Sequence, residues 1–158
     1  MTDLPEVDHV IDGLYIASAR AAYQAPALRK AGITRVLKLY ENGPAWPPDF
    51  HLCDNPVEDG AWLPSVDLWR GTAFIHQGIA AGEKVLVVCA AGVSRSATFV
   101  LAYLVERGYD LRQAWDLLRE KHPQAWPALE LWESLLRHYK LPYTMRDVLD
   151  WLKLDVLE

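Results

Sequence analysis

The sequence predicts an α/β domain, a three-layer sandwich in which a mostly parallel central sheet carries helices on both faces. Short apolar runs rich in β-branched residues alternate with longer amphipathic segments, and the second half of the chain has a helical pattern throughout. The chain has 158 residues, 51% of them hydrophobic, which is enough for one domain with a sizeable core. Residues 1–158 are therefore expected to form a single domain.

Individual elements follow from local patterns. The predicted strands are short and apolar, and they cover residues 10–17, 34–40, 50–53 and 85–88. The predicted helices carry apolar residues at every third or fourth position, and they cover residues 20–31, 63–81, 96–107, 111–121 and 127–139. Gly13 marks a turn in the first strand segment, and Gly32 and Gly108 follow helix ends, where glycine is favoured. Pro26 either interrupts the first helix or begins its second part.

The last segment, residues 143–158, predicts an additional C-terminal helix. Apolar side chains recur there at helical spacing, at Met145, Val148, Leu149, Leu152 and Val156. Packing onto its own domain is the simpler interpretation, and a contact with a second copy or a partner is the alternative. We expect a monomer or a weak homodimer.

Charge and composition argue against several classes of protein. A net charge of −5 disfavours nucleic-acid binding, which usually needs a basic surface. No apolar run approaches the roughly eighteen residues of a membrane span, and the start of the chain lacks a basic or apolar leader, so a cytoplasmic location without a membrane partner is expected. Two cysteines cannot form a disulfide framework, and the five histidines are scattered, so no metal site is expected.

One segment carries most of the chemical information, because it joins a buried strand to a helix with a cysteine first and an arginine six positions later. It reads Cys89, Ala90, Ala91, Gly92, Val93, Ser94, Arg95 and Ser96. The backbone N–H groups of residues 90–95 are expected to converge on a phosphate at the helix N-terminus, and Gly92 gives the loop its conformational freedom. Arg95 adds a bidentate grip on two phosphate oxygens.

The same positive field is expected to stabilise Cys89 as a thiolate, the nucleophilic form of the side chain. The alternative is a buried structural cysteine, which the spacing, the glycine and the strand–helix setting together disfavour. Cys53 is expected to be a buried filler, and trapping of oxidised Cys89 is the less favoured alternative.

The segment at residues 89–96 closely resembles the signature of the cysteine-dependent dual-specificity protein phosphatases, within the protein tyrosine phosphatase superfamily. Weaker similarities fall in the family's order at residues 13–16, 28–37, 74–75 and 102–104, so the resemblance covers about residues 8–140. It implies a phosphomonoester hydrolase that works through a phosphocysteine intermediate without a cofactor. The implied substrates are phosphotyrosine and, as further candidates, phosphoserine and phosphothreonine in proteins.

The resemblance also implies a general acid, an aspartate in a loop about thirty residues before the cysteine. Asp59 lies at that distance in the loop 55–60, and Asp54 and Glu58 are the competing carboxylates. Ser96 corresponds to the family hydroxyl that hydrogen-bonds the cysteine sulfur, although serine there would also suit a helix N-cap. Ser94 is expected to stabilise the loop.

Two positions depart from the family pattern. Val88 stands where most relatives carry histidine, and losing one supporting hydrogen bond costs on the order of 1 kcal/mol, so a slower but active enzyme is expected. Ala128 stands where relatives often have asparagine, so an amide that braces the loop is missing from the sequence.

Other functions remain open at this stage. A lipid, nucleotide or carbohydrate phosphatase of the same superfamily is disfavoured because residues 90–93 supply no basic side chain. A catalytically silent phosphoprotein-binding module is supported by Val88 alone. A rhodanese-like sulfur transferase would also use a loop cysteine, but it usually lacks the Ser-Arg-Ser ending. Trp46, Trp62 and Trp126 lie in or beside loops, and at most one of them is expected to touch substrate.

Overall fold

The computed structural model describes residues 6–157, with side chains described as far as Lys153. In this part of the chain five strands form one sheet: β1 Val7–Ile11, β2 Leu14–Ser18, β3 Ile33–Lys38, β4 His51–Asp54 and β5 Lys84–Cys89. The helices are α1 Ala25–Lys30, α2 Ser65–Ala80, α3 Arg95–Glu106, α4 Leu111–Lys121, α5 Leu129–His138 and α6 Met145–Leu157, and a 3₁₀ segment at Ala19–Gln24 precedes α1.

The sheet has the strand order β1-β2-β5-β3-β4. The β1–β2 pair is antiparallel, and the other three pairs are parallel. The mostly parallel sheet expected from the sequence is therefore confirmed. Since parallel strands end at the same edge, the segments that follow β2, β3 and β5 meet at one edge of the sheet.

The strand expected at residues 10–17 is in fact two strands joined by a hairpin turn. Gly13 sits in the left-handed region at φ +76°, and a Cβ there would lie 2.8 Å from Ile79 Cδ1. The apolar pattern continues on both sides of this turn, which is why the sequence read as one strand. The turn predicted at Gly13 is confirmed, but it separates two antiparallel strands and does not lie within one strand.

The helix expected at residues 20–31 is also divided. Residues Ala19–Gln24 form the 3₁₀ segment, and α1 begins at Ala25 with Pro26 in its first turn. Proline is tolerated there because the first-turn N–H groups have no intrahelical partner. The alternative in which Pro26 begins a second helical part is thus confirmed.

Helices cover both faces of the sheet and enclose two separate apolar clusters. The larger one lies between the sheet and α2–α6, and the smaller one lies between the sheet, the 3₁₀ segment and α1. Successive side chains of β5 alternate between them, so that Cys89 belongs to the larger cluster and Val88 to the smaller. This alternation points Cys89 toward the face that carries α3.

The C-terminal helix α6 packs onto its own domain. Val148 is fully buried and Leu152 is nearly so, and both belong to the larger cluster. Trp151 meets the rings of Trp132 and Tyr143 edge-on, with centroid distances of 6.3 and 4.8 Å. The side chain of Val156, also expected on this face, lies outside the described residues. Within residues 6–157 no helix is both long and apolar enough to span a bilayer.

Candidate active site

Cys89 is the last residue of β5 and lies at the edge where the parallel strands end. It pairs in register with Ser18, the last residue of β2, and its side chain is 2% exposed. Residues 90–94 then form a loop, and α3 begins at Arg95, one residue before the expected start. Both β5 and α3 contribute buried side chains to the larger cluster, so each end of the loop is anchored in the core.

Three backbone carbonyls of this loop are held from outside by hydrogen bonds. Ala90 O accepts from Ala19 N–H at 3.3 Å, and Val93 O accepts from Trp126 N–H at 2.7 Å. Gly92 O lies 2.5 Å from Nε2 of His122, which must be the donor because a carbonyl can only accept. In a planar trans peptide the C=O and the next N–H point in opposite directions. The N–H groups of residues 91, 93 and 94 are therefore directed away from these anchors.

Glycine is required at position 92 for two reasons. Its φ is +70°, which L side chains rarely adopt, and a Cβ there would lie 2.7 Å from the backbone nitrogen of Ser18. Because the obstacle is backbone at the end of β2, it cannot rotate away as a side chain would. The loop thus packs directly against the neighbouring strand.

The hydroxyl of Ser96 contacts the sulfur of Cys89, the candidate nucleophile. The Oγ of Ser96 is 3.2 Å from Sγ of Cys89, and Ser96 is fully buried. It is not the N-cap of α3, since that position is Ser94, whose side chain makes no capping hydrogen bond. Of the two roles open in the sequence, only the sulfur contact is present in the structure.

The guanidinium of Arg95 is fixed by two carbonyls. Its Nη1 donates to Val57 O at 3.2 Å and to Leu39 O at 3.4 Å. Its Nε is buried and makes no hydrogen bond with any residue that the structure describes. A buried cationic N–H without a partner is costly, so this donor is available to an anion in the adjoining pocket.

Asp59 is tied to the loop by Ser94. The hydroxyl of Ser94 donates to Asp59 Oδ1 at 2.7 Å and accepts from Ala128 N–H at 2.8 Å. Ser94 therefore stabilises the loop and also orients the general-acid candidate. The sequence has no asparagine amide at position 128 to hold the loop. The backbone N–H of Ala128 holds it instead, by donating to Ser94 Oγ.

The two competing carboxylates lie elsewhere. Asp54 accepts a hydrogen bond from Lys38 Nζ at 3.1 Å at the end of β4. Glu58 lines a neighbouring depression, whose lining also includes Glu41, Asp59 and Arg95, but not Cys89. Of the three candidates, Asp59 alone lines the pocket that contains Cys89.

This pocket has a volume of about 350 Å³. Its walls are formed by Asp59, Cys89, Ala90, Ala91, Val93, Ser94, Arg95, Trp126 and Ala128. Of the three loop tryptophans, Trp126 lines it. Trp46 is buried in the smaller cluster and donates to Tyr40 Oη, while the Trp62 ring contacts the His138 ring in a tilted arrangement.

Cys53 is remote from the site. It pairs with Leu37 of β3, which pairs with Val87 of β5, so Cys53 lies two strand spacings, roughly 10 Å, from β5. A disulfide needs Cα atoms within about 7 Å, so Cys53 cannot trap Cys89 without backbone movement. Burial raises the pKa of the Cys53 thiol, which is the behaviour of a structural cysteine.

Sequence reasoning missed His122 and Asp8. His122 is fully buried and joins the loop to the start of β1, with Nδ1 2.6 Å from Asp8 Oδ2. The two residues are 114 positions apart, and neither belongs to a recognisable spacing. In residues 6–157, no three His, Cys, Asp or Glu side chains cluster as a metal site would require.

The mostly parallel sheet, the loop after β5 and a pocket lined by both Cys89 and Arg95 are the features of a dual-specificity phosphatase domain. Residues 14–141 match the family described as "Dual specificity phosphatase, catalytic domain". The chain belongs to this family.

Individual relatives are similar to most of this chain. It is 31% identical over 144 residues to MAP kinase phosphatase with leucine-rich repeats protein 3 of Dictyostelium discoideum, covering 87% of this chain and 16% of that protein. It is 32% identical over 133 residues to human dual specificity protein phosphatase 9, covering 80% of this chain and 34% of that protein. The chain thus spans about a sixth to a third of the length of these relatives.

A solved structure is similar over nearly the whole domain. It is a mouse putative dual specificity phosphatase complexed with zinc tungstate, with a TM-score of 0.78 and 30% identity. The match covers 89% of this chain and 94% of the mouse chain.

Proposed function

We propose that this protein hydrolyses phosphomonoesters in phosphorylated proteins through a covalent phosphocysteine on Cys89. The thiolate attacks phosphorus, so that an S–P bond forms as the P–O bond to the leaving group breaks. Asp59 gives its proton to the departing oxygen. Arg95 and the amides of residues 90–94 hold the three equatorial oxygens, where charge is spread in the transition state.

The second step returns the enzyme to its starting state. Asp59, now a carboxylate, takes a proton from water as the water oxygen attacks phosphorus. The S–P bond breaks, inorganic phosphate leaves, and the sulfur departs as a thiolate. The Ser96 hydroxyl, 3.2 Å away, donates a hydrogen bond to that sulfur and stabilises the leaving anion.

One observation carries the proposal: a buried cysteine opens onto a pocket that is also lined by an arginine and by a carboxylate held against the same loop. The pocket contains Cys89, Arg95 and Asp59 together. Tungstate is a tetrahedral oxyanion like phosphate, and the mouse relative is complexed with zinc tungstate, which further supports an oxyanion site here.

Within this function, the pocket favours phosphotyrosine. Trp126 forms an apolar wall beside the loop and is fixed from behind by Arg119, whose guanidinium carbon lies 5.3 Å from the ring centroid. Arg119 also donates to Ala125 O at 3.1 Å, so the stack is anchored to backbone. A rigid indole beside the phosphate site offers a face to an aryl ring and little to the short side chains of phosphoserine or phosphothreonine.

The setting we propose is cytoplasmic, with a phosphorylated protein as partner and a monomer or weak homodimer as the working form. Both cysteines are free thiols, as a thiolate nucleophile requires and a reducing compartment maintains. A net charge of −5 opposes binding to nucleic acid and to anionic membranes.

The test compares the parent protein with Cys89→Ser. The parent should hydrolyse p-nitrophenyl phosphate and form a phosphoenzyme that rapid acid quenching and mass spectrometry locate on Cys89. Cys89→Ser should lose turnover and still bind tungstate. A parent as inert as Cys89→Ser, with tungstate bound by both, would identify a phosphoprotein-binding module instead.

A substrate panel with phosphopeptides, phosphoinositides, nucleotides and sugar phosphates tests the proposed substrate class. Faster turnover of a non-protein substrate than of the phosphopeptides would contradict a protein substrate.

The aryl preference is tested with Trp126→Ala. The KM for a phosphotyrosine peptide should rise roughly five- to tenfold, with little change for the matching phosphoserine peptide. Trp62→Ala is the control, because Trp62 also lies beneath an arginine, Arg137 at 5.8 Å, but does not line the pocket. Equal losses on both peptides would refute the aryl preference.

A further inference from the structure

His122 is a buried ionisable residue that the proposed reaction does not use. It is fully buried at the end of α4, and its backbone is fixed on both sides. Its N–H donates to Leu118 O at 2.7 Å, and its carbonyl accepts from Ala125 N–H at 2.9 Å. The imidazole ring is therefore attached to a backbone that hydrogen bonds hold in place.

Both ring nitrogens are engaged by oxygen atoms. Nε2 donates to Gly92 O at 2.5 Å, and Nδ1 lies 2.6 Å from Asp8 Oδ2. The carboxylate partner fixes the ring orientation, and with it the direction of the Nε2–H bond. Asp8 belongs to β1, where it pairs with Ile16 of β2, so the arrangement is anchored in the sheet.

The contact at Gly92 controls the peptide group that follows. The carbonyl of Gly92 and the N–H of Val93 belong to the same planar trans unit and point in opposite directions. Drawing the carbonyl toward His122 therefore turns the Val93 N–H the other way, and Val93 lines the pocket. At the carbonyls of Ala90, Gly92 and Val93, His122 is the side-chain donor, and the other two donors are backbone N–H groups. The carbonyl of Ser94 is held from within α3, by the N–H and the hydroxyl of Thr98.

We propose that Asp8 and His122 are a pair of positioning residues that aim the Val93 N–H at the phosphoryl group. The inference rests on the proposed function, because it needs an oxyanion in this pocket. It also offers an account of why Val88 can replace the histidine that most relatives carry at this position. In this chain the loop is supported by His122, at the end of α4. A donor fixed before the reaction stabilises developing charge without having to reorganise.

The experiment uses tungstate as the probe and ¹⁵N-labelled protein. In the parent, tungstate should shift the amide resonances of residues 91, 93 and 94. In His122→Ala, tungstate binding should weaken about tenfold, the effect of misdirecting one hydrogen bond to an anion. The tungstate-induced shift at Val93 should shrink more than the shift at Ala91, which a general loss of structure would not produce.

His138→Ala is the matched control, since His138 Nε2 likewise donates to a backbone carbonyl, Leu63 O at 2.7 Å, away from the loop. Its tungstate affinity should equal that of the parent. Equal weakening in His122→Ala and His138→Ala would overturn the proposal, because it would reflect stability and not positioning.

A second pair of variants decides the matter if His122→Ala fails to fold. In Asp8→Ala the imidazole ring of His122 is no longer held in one orientation, so tungstate binding should weaken about threefold. In Asp8→Asn the amide can donate to Nδ1 of His122, so most of the tungstate affinity lost in Asp8→Ala should be regained. Parent-like affinity in Asp8→Ala or in a folded His122→Ala overturns the positioning role alone. A parent that binds no tungstate and has no phosphatase activity overturns the proposed function, and the positioning role with it.

Discussion

Ser94 Oγ donates a 2.7 Å hydrogen bond to Asp59 Oδ1 and so joins two loops that are 35 residues apart in the chain. The same hydroxyl accepts from Ala128 N–H, which leaves it one orientation in which both bonds are made. This serine thus fixes the carboxylate of the proposed acid relative to the phosphate loop, while Arg95 Nη1 ties the backbone of the same acid loop at Val57 O.

Ser94→Ala should separate the acid from the loop without removing it. Turnover of a phosphotyrosine peptide should fall roughly three- to tenfold, because the leaving oxygen is no longer protonated efficiently. Turnover of p-nitrophenyl phosphate should fall less, since nitrophenolate leaves readily without a proton. Ser134→Ala is the control, as that hydroxyl also accepts from a backbone N–H and donates to a carbonyl, but in α5. Equal losses on both substrates would contradict this role.

Asp59→Asn should remove the proton and keep the geometry, because the amide oxygen can still accept from Ser94. We expect kcat on a phosphotyrosine peptide to fall about 10²- to 10⁴-fold, the usual contribution of a general acid. The pH–rate profile of the parent should show a limb that is absent in the variant. Glu58→Gln, one residue away in the neighbouring depression, should keep kcat within about twofold of the parent. A larger loss in Glu58→Gln than in Asp59→Asn would reverse the assignment.

The two cysteines should differ in reactivity toward iodoacetamide. Burial raises the pKa of the Cys53 thiol, so it stays protonated and slow near neutral pH, and its reaction should accelerate only as the pH rises. Cys89 opens onto the pocket and should be modified first, with tungstate protecting it. Peptide mapping after brief labelling at pH 7 measures both rates. Earlier modification of Cys53 would contradict the assignment of Cys89 as the nucleophile.

Gly92→Ala should damage the loop more than left-handed backbone strain alone explains. The added Cβ would lie 2.7 Å from Ser18 N, whereas a Cβ at Gly82, with a similar φ of +77°, meets nothing within 4 Å. Gly82→Ala should cost about 1–2 kcal/mol of unfolding free energy and leave activity intact. Gly92→Ala should cost more in denaturant unfolding and lose most tungstate binding. Equal effects of the two variants would mean that packing against Ser18 is unimportant.

Local sequence predicted most of the fold. Every helix and strand segment was placed to within a few residues, because apolar periodicity reports which side of an element is buried. At Gly13 and near Pro26 the glycine and the proline, and not the periodicity, indicated a break within a segment, and the structure has a break at both places. There the apolar pattern continues across the break, so that periodicity alone does not reveal it.

The residues of the candidate site also fall into two groups, those predicted from local sequence and those placed by the tertiary structure. Cys89, Arg95 and Ser96 lie on one loop and its helix, so their proximity follows from eight consecutive residues. Asp59 was chosen among three carboxylates by its distance from Cys89 in the chain, and its place in the pocket depends on Ser94. His122 and Asp8 gave no signal, because nothing local indicates that residues 114 positions apart will meet.

The sequence by itself determined the class of domain and the residues at the centre of the pocket, since both depend on short-range patterns and one compact motif. The tertiary structure alone decided how the loop is held, which carboxylate shares the pocket with the sulfur and which tryptophan forms the wall. Those contacts join elements that are distant in sequence, and they exist only once parallel strands bring their carboxyl ends to a common edge.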